Sequence, residues 1–141
     1  MNEKKRVLFV CTHNSARSQM AEGWLRQMAG DRFDAHSAGT EATQVRPLAI
    51  AAMGEVGIDI SGAESKTLDR YLAEQWDYVV SVCDQAAESC PVFPGKAERL
   101  HWSLADPSTA TGSEEDQLSV YRATRDRIRS NIEEFVSHPP R

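Results

Sequence analysis

Apolar positions along this chain switch repeatedly between a period of two and a period near 3.6. Residues 5–10 carry the run Val7-Leu8-Phe9-Val10, β-branched and too short for a helix, which predicts a buried strand. Met20, Ala21, Trp24, Leu25 and Met28 then recur at helical spacing, with Gly30 as the expected stop. Phe33 to Ser37 predicts a second strand, closed by the turn residues Ser37-Ala38-Gly39-Thr40. Pro47 suits the first position of a helix whose apolar stripe is Ala49, Ala52, Met53 and Val56 and which Gly57 ends. Ile58-Asp59-Ile60-Ser61 predicts an extended piece, Leu68 to Gln75 a short helix, and Tyr78-Val79-Val80-Ser81-Val82 a clear strand. Residues 84–95 hold two prolines and a glycine, so they allow at most a short helix and loop. Arg99 to Trp102 predicts a final strand. Ser113-Glu114-Glu115-Asp116 has the form of a capping box, with Asp in place of Glu. Behind it Leu118, Tyr121, Ile128, Ile132 and Phe135 mark one face of a long helix. Arg122, Arg125, Arg127 and Arg129 lie mostly outside that stripe and are expected to form a solvated face.

Strands alternating with helices imply an α/β fold of three layers: a small parallel sheet of about four strands, flanked by helices and wound by right-handed crossovers. A length of 141 residues suits one domain, taken as 1–141, with neither repeats nor linkers. The net charge of −5, and no basic cluster larger than Lys4-Lys5-Arg6, argue against a nucleic-acid partner. Only four apolar residues follow the basic N-terminus, too few for a signal peptide or a membrane span, so a cytoplasmic protein is expected. Three cysteines in a reducing compartment are catalytic, redox-active or merely buried rather than a disulfide framework.

The densest chemistry is Cys11-Thr12-His13-Asn14-Ser15-Ala16-Arg17-Ser18, between the first strand and the first helix. Ligands of open parallel sheets bind beyond the carboxyl ends of strands, and Cys11 stands at such an end. A thiol of pKa near 8.5 is only ~3% thiolate at pH 7, so it needs help to act as a nucleophile. The N-terminus of the following helix, loop amides pointing inward and the charge of Arg17 would each provide it. Ser18 is placed to donate a hydroxyl to the thiolate, and Asn14 to tie the loop's curve. The planar fork of Arg17 suits a tetrahedral oxyanion through two parallel hydrogen bonds. The plainer alternative is a buried Cys and a surface Arg.

Asp106-Pro107 offers a carboxyl group that would protonate a leaving oxygen as a general acid, although Asp-Pro is also a common turn dipeptide. Cys83 ends the strand at 78–82, at the sheet edge expected for Cys11, and Cys90 follows seven residues later. A straight helix over 83–90 would set the two Cα atoms ~10 Å apart, whereas a disulfide needs roughly 4.4–6.8 Å. Either the pair never bridges or the segment rearranges to let it. Two isolated buried thiols remain the plain reading.

The stretches Cys11 to Gly23, Ser37-Ala38-Gly39, Glu55 to Ser61, Cys83 to Cys90-Pro91, His101-Trp102 and Asp106-Pro107 together resemble the thioredoxin-coupled arsenate reductases, which share the fold of low-molecular-weight protein tyrosine phosphatases. The resemblance implies that Cys11 attacks arsenate held by the loop amides and Arg17, with Asp106 assisting loss of an oxygen. It implies that Cys83 then attacks Cys11, releasing arsenite, and that Cys90 attacks Cys83 to give a Cys83–Cys90 disulfide reduced by thioredoxin. It calls for no resident cofactor, and a monomer without nucleic-acid or membrane partners is expected.

Two departures stand out. Some members carry an additional loop Cys where this chain has Ala16, so an internal loop disulfide is unavailable here. Some bind potassium near the loop. Asn14, Glu22 and Ser37 match three of those ligands, while Glu64 and Lys66 stand in place of two others, so an ammonium at Lys66 is expected to replace the cation and pair with Glu22. Two competing functions use fewer of these features. A phosphatase acting on phosphoesters leaves Cys83 and Cys90 without a role, and a thiol redox-sensing binding module leaves the nucleophile loop unexplained.

Overall fold

The computed structural model describes residues 4–11, 16–41, 43–82 and 97–138. Four parallel strands form one sheet in the order β2-β1-β3-β4: β1 (Lys5–Cys11), β2 (Phe33–Gly39), β3 (Tyr78–Ser81) and β4 (Glu98–His101). The helices are α1 (Arg17–Ala29), α2 (Pro47–Glu55) and α3 (Glu114–Ser137), with 3-10 turns at Leu68–Tyr71 and Pro107–Thr109. The expected α/β architecture is therefore present.

β1 lies at the centre because it is the strand with no exposed apolar face to lose: Val7, Leu8, Phe9 and Val10 are fully buried. It pairs with β2 from Lys5↔Phe33 to Cys11↔Gly39 and with β3 from Val7↔Tyr78 to Val10↔Ser81. β1 and β3 are neighbours from opposite directions of winding, so the switch point of the sheet falls at the carboxyl end of β1. Cys11 is the last residue of that strand.

Both faces of the sheet are covered. On one, Phe135 of α3 packs against Phe33, Tyr78 and Trp102, and Phe9 of β1 meets Trp102. On the other, His36 packs edge-on to Trp76 and against Tyr71 of the first 3-10 turn. Arg6 lies over the Trp76 ring at 4.2 Å, closing the amino-terminal end of this layer.

The long helix starts where the sequence places it. Ser113 Oγ accepts from the Asp116 amide at 3.1 Å, and Asp116 Oδ2 accepts from the Ser113 amide at 3.2 Å. Asp thus completes the capping box as Glu would. Gly112 precedes it at φ +101°, where a Cβ would come within 2.7 Å of Asp116 Oδ2, so glycine is required there. Gly57, at φ +82°, ends α2 in the same left-handed conformation.

Several expectations change. The second strand runs on through Ala38 to Gly39, because pairing with β1 continues to Cys11. Leu68 to Gln75 narrows to a single 3-10 turn over Leu68–Tyr71. Val56 is 37% exposed, since the helix has ended before it and the stripe no longer faces the core. The expected solvated face of α3 is also corrected: Arg122 and Arg125 are clasped to α2. Arg122 grips Glu55 with two nitrogens at 2.6–3.1 Å, and Arg125 donates to the Ala52 carbonyl and to Glu55, both at 2.9 Å. The carboxyl end of α2 presents its carbonyls and Glu55 there, which attracts cations lying beside the apolar stripe. Residues 84–95 lie outside the described residues.

The hydrogen bonds from Arg122, aided by those from Arg125 and by both charges, hold the Glu55 carboxyl at about 2, down from 4.5. A folded-state pKa below the unfolded one adds stability above 4.5 that is lost as pH falls toward 2. Urea midpoints of the parent and Glu55→Gln proteins should therefore differ at pH 7, converge as pH drops below 4.5, and coincide near 2. Because the pair is solvent-screened, the gap should also narrow in 0.5 M salt, roughly a Debye length of 4 Å. A difference independent of pH would refute this account.

Candidate active site

The site is built where β1 stops and α1 begins. Cys11 is 3% exposed, and its carbonyl accepts from the Thr40 amide at 3.2 Å, which fixes the strand end against the segment after β2. Ala16 is the N-cap of α1, with no side-chain cap and no acidic residue in the first turn. The partial positive charge of this helix end is therefore not neutralised by its own side chains. Residues Thr12, His13, Asn14 and Ser15 of the predicted oxyanion loop lie outside the described residues. Ala16 and Ser18 are both buried beside Arg17.

Arg17 opens α1, and its side chain is only 9% exposed. Its NH1 donates to the Leu104 carbonyl at 2.9 Å, and NH2 lies 3.7 Å from Asp106 Oδ2. The loop after β4 thus orients the guanidinium from the far end of the chain. The structure brings together Arg17 and Asp106 at the carboxyl end of the sheet where Cys11 lies, while Cys83 and Cys90 fall outside the described residues. Val82, the residue before Cys83, donates its amide to the Val10 carbonyl at 2.9 Å, next to Cys11.

Asp106 is the N-cap of the second 3-10 turn. Its Oδ1 accepts from the Ser108 amide at 2.9 Å and from the Ser108 hydroxyl at 2.7 Å. Burial pushes this carboxyl up, but both Ser108 hydrogen bonds and the charges of Arg17 and Arg46 outweigh it, leaving the pKa below 3.8. Near neutral pH and without ligand, Asp106 is an anion that accepts hydrogen bonds. The turn reading of Asp-Pro is thus met.

Glu22 of α1 and Ser37 of β2 meet as the sequence suggests. Ser37 Oγ donates to Glu22 Oε1 at 2.8 Å, and Arg26 lies 3.0 Å from Glu22 Oε2. Lys66 Nζ stands 4.0 Å from Glu22 Oε1 and donates to the Glu64 carbonyl at 2.8 Å. Burial lowers the Lys66 pKa, and the Glu22 charge counters that shift. The Glu64 carboxylate turns away to Arg70 at 2.8 Å, so only its backbone takes part. Among the described residues, no group of three or more His, Cys, Asp and Glu side chains could hold a metal ion.

Sequence reasoning missed three parts of the site. Ser108 was legible, because Asp-Pro-Ser places a donor two residues beyond a capping Asp. The Leu104 carbonyl and the guanidinium of Arg46 carry no such signal. Both arrive through tertiary packing.

A family profile for low molecular weight phosphotyrosine protein phosphatase matches residues 6–138. The arsenate reductase of Halalkalibacterium halodurans is 48% identical over 133 residues, covering 94% of this chain and 96% of that protein. The arsenate reductase of Bacillus subtilis is 44% identical over 134 residues, covering 95% of this chain and 96% of that one. A solved arsenate reductase in its oxidized state superposes with a TM-score of 0.82 at 34% identity, covering 94% of this chain and 97% of the other. A tyrosine phosphatase of Erwinia amylovora, 17% identical with a TM-score of 0.79, shares the fold; it covers 96% of this chain and 93% of that one. No helix among the described residues is long and apolar enough to cross a membrane. The buried Arg17 opens the helix that follows a central parallel strand ending in Cys11, in a chain that belongs to the low molecular weight phosphotyrosine protein phosphatase family, among its arsenate reductases.

Proposed function

We propose that the protein reduces arsenate to arsenite through three cysteines, as a single cytoplasmic domain acting as a monomer, with thioredoxin as reductant. The observation that carries this is the buried guanidinium of Arg17, held by the Leu104 carbonyl and Asp106 at the start of the helix that follows β1, the strand that ends in Cys11. The names of its relatives support arsenate as the anion.

Arsenate binds to the Arg17 fork, the amides of residues 12–16 and the Ser18 hydroxyl. The Cys11 thiolate attacks arsenic, an S–As bond forms, and one oxygen leaves as water after taking protons. Cys83 then attacks the Cys11 sulfur. The S–As electron pair returns to arsenic, which departs as arsenite, and a Cys11–Cys83 disulfide remains. Cys90 attacks Cys83 and frees Cys11, and the dithiol of thioredoxin reduces Cys83–Cys90. The bond from the Val82 amide to the Val10 carbonyl supports this order, because Cys83 is the next residue of a chain anchored beside β1.

Asp106 is ionised in the ligand-free form, so it acts as an acid only after gaining a proton. A bound dianion supplies the cause: it screens Arg17 and adds like charge beside the carboxylate, both of which raise the pKa. Asp106 then takes up a proton and passes it to the departing oxygen. The Lys66 ammonium, beside Glu22, serves in place of a bound potassium ion.

Single Cys→Ser variants test the relay. Cys11→Ser, Cys83→Ser and Cys90→Ser should each abolish multiple-turnover arsenite formation with thioredoxin, whereas only Cys11→Ser should remove any phosphatase side activity. Sustained turnover by Cys90→Ser would exclude the three-thiol scheme. Asp106→Asn should lower kcat by about 100-fold or more. It should hold inorganic phosphate as tightly as the parent or tighter, because no carboxylate then competes for Arg17; equal losses in kcat and phosphate affinity would point to structural damage instead. For the lysine, melting temperature and activity should be the same in potassium as in sodium. Lys66→Ala should cost about 1–3 kcal/mol by leaving Glu22 buried with one cation fewer. A large stabilisation of the parent by potassium would contradict the substitution of ammonium for the ion.

A further inference from the structure

The loop after β4 fixes Asp106 at its backbone and at one of its two carboxylate oxygens. The Thr109 hydroxyl and amide both donate to the Asp106 carbonyl, at 2.9 and 3.3 Å, and the neighbouring Pro107 is buried. With the backbone held, the two side-chain oxygens meet different surroundings. Oδ1 accepts from the Ser108 amide at 2.9 Å and from the Ser108 hydroxyl at 2.7 Å. Oδ2 lies 3.7 Å from Arg17 NH2, beyond hydrogen-bond reach. The charge of Arg46 at the start of α2 also acts on the carboxylate, and the carboxylate in turn acts on the phenol of Tyr121 on α3. Near neutral pH the guanidiniums stay charged, and burial pushes the phenol of Tyr121 up so that it keeps its proton. Among these groups, Asp106 is the one that changes charge.

A carboxylate oxygen has two acceptor positions. At Oδ1 both are taken, so a proton arriving there must displace a Ser108 donor. At Oδ2 it meets a long ion pair instead. The Ser108 hydroxyl also breaks the symmetry of a group that would otherwise exchange its oxygens by a half turn about Cβ–Cγ. We infer that Ser108 is a positioning residue: its hydroxyl pins Oδ1 as an acceptor and leaves Oδ2, the oxygen beside Arg17, to carry the proton that Asp106 delivers. On protonation Oδ1 becomes the carbonyl oxygen of the acid and keeps both donors, so the turn stays closed while the proton comes and goes. The inference rests on the general-acid reading of Asp106 and adds to it a residue that acts through Asp106 rather than on the anion. Ser108 is exposed, so its substitution leaves the core alone.

Isotope-edited infrared spectroscopy with inorganic phosphate tests this without arsenate turnover. The difference between phosphate-bound and phosphate-free protein should contain a carboxylic-acid C=O band that Asp106→Asn lacks. In Ser108→Ala the band should move to higher frequency, because the carbonyl accepts one hydrogen bond fewer, and Ser108→Thr should return it. The phosphate dissociation constant should stay within about twofold in both Ser108 variants, since the hydroxyl acts on the proton and not on binding. With reduced protein in excess over arsenate, which isolates one turnover, Ser108→Ala should slow arsenite formation by about three- to tenfold, and threonine should restore it. Added to Asp106→Asn, Ser108→Ala should slow the reaction no further. A band that Ser108→Ala does not move, or no band in the parent, would overturn the inference. So would a rate loss that persists in the Asp106→Asn background, because it marks a structural role for the turn. A parent that shows the band and its shift yet forms no arsenite would sink the reductase proposal and leave the oxygen assignment standing.

Discussion

A guanidinium removed from water must have its donors met, and the site depends on how this is done for Arg17. Its partners are a carbonyl and a carboxylate from the loop after β4, nearly ninety residues away in sequence. Satisfying one buried charge therefore joins the first turn of the first helix to the segment that follows the last strand. The same joining sets the electrostatics. Asp106 is ionised because Ser108 and the neighbouring guanidiniums favour its charge, and Arg17 is partly neutralised because Asp106 is ionised. This is an economical way to keep a strongly cationic pocket folded inside a chain of net charge −5.

Much of this was legible because β1 and α1 are determined locally. Four consecutive apolar residues, a Cys, and an Arg opening an amphipathic run leave few alternatives, and the strand and helix form where that pattern puts them. The capping box before α3 and Gly57 after α2 were legible for the same reason: each is a backbone requirement met by a residue type. What the sequence concealed depends on which surfaces meet. Arg122 and Arg125 look like solvent-facing residues until α2 is laid across α3 and its carboxyl end supplies Glu55 and a free carbonyl. Val56 continues a helical stripe on paper, yet the helix has ended by then. Lys66 and Glu22 are 44 positions apart, and the pairing of Gly39 with Thr67 brings them together.

A polar cluster lies between α1 and the end of β2. Ser37, Glu22, Arg26 and Lys66 form a connected charged layer behind the first strand, most of it shielded from solvent. A layer of apolar side chains would pack as well, but it would not fix hydrogen-bond directions. The cost of burying these charges is offset only while all of them are present, which makes the layer stiff and intolerant of single deletions. Gln19 adds a second link to the same segment by donating to the Glu64 carbonyl at 2.9 Å.

The position of Phe135 has a consequence for the order in which the molecule can assemble. Its ring is the common neighbour of Phe33, Tyr78 and Trp102, three aromatic residues spread over the length of the chain. During synthesis these rings emerge one after another ahead of their shared neighbour, which lies in α3. Completion of the core therefore waits for α3, and a nascent chain stalled anywhere before it presents an open aromatic face to chaperones.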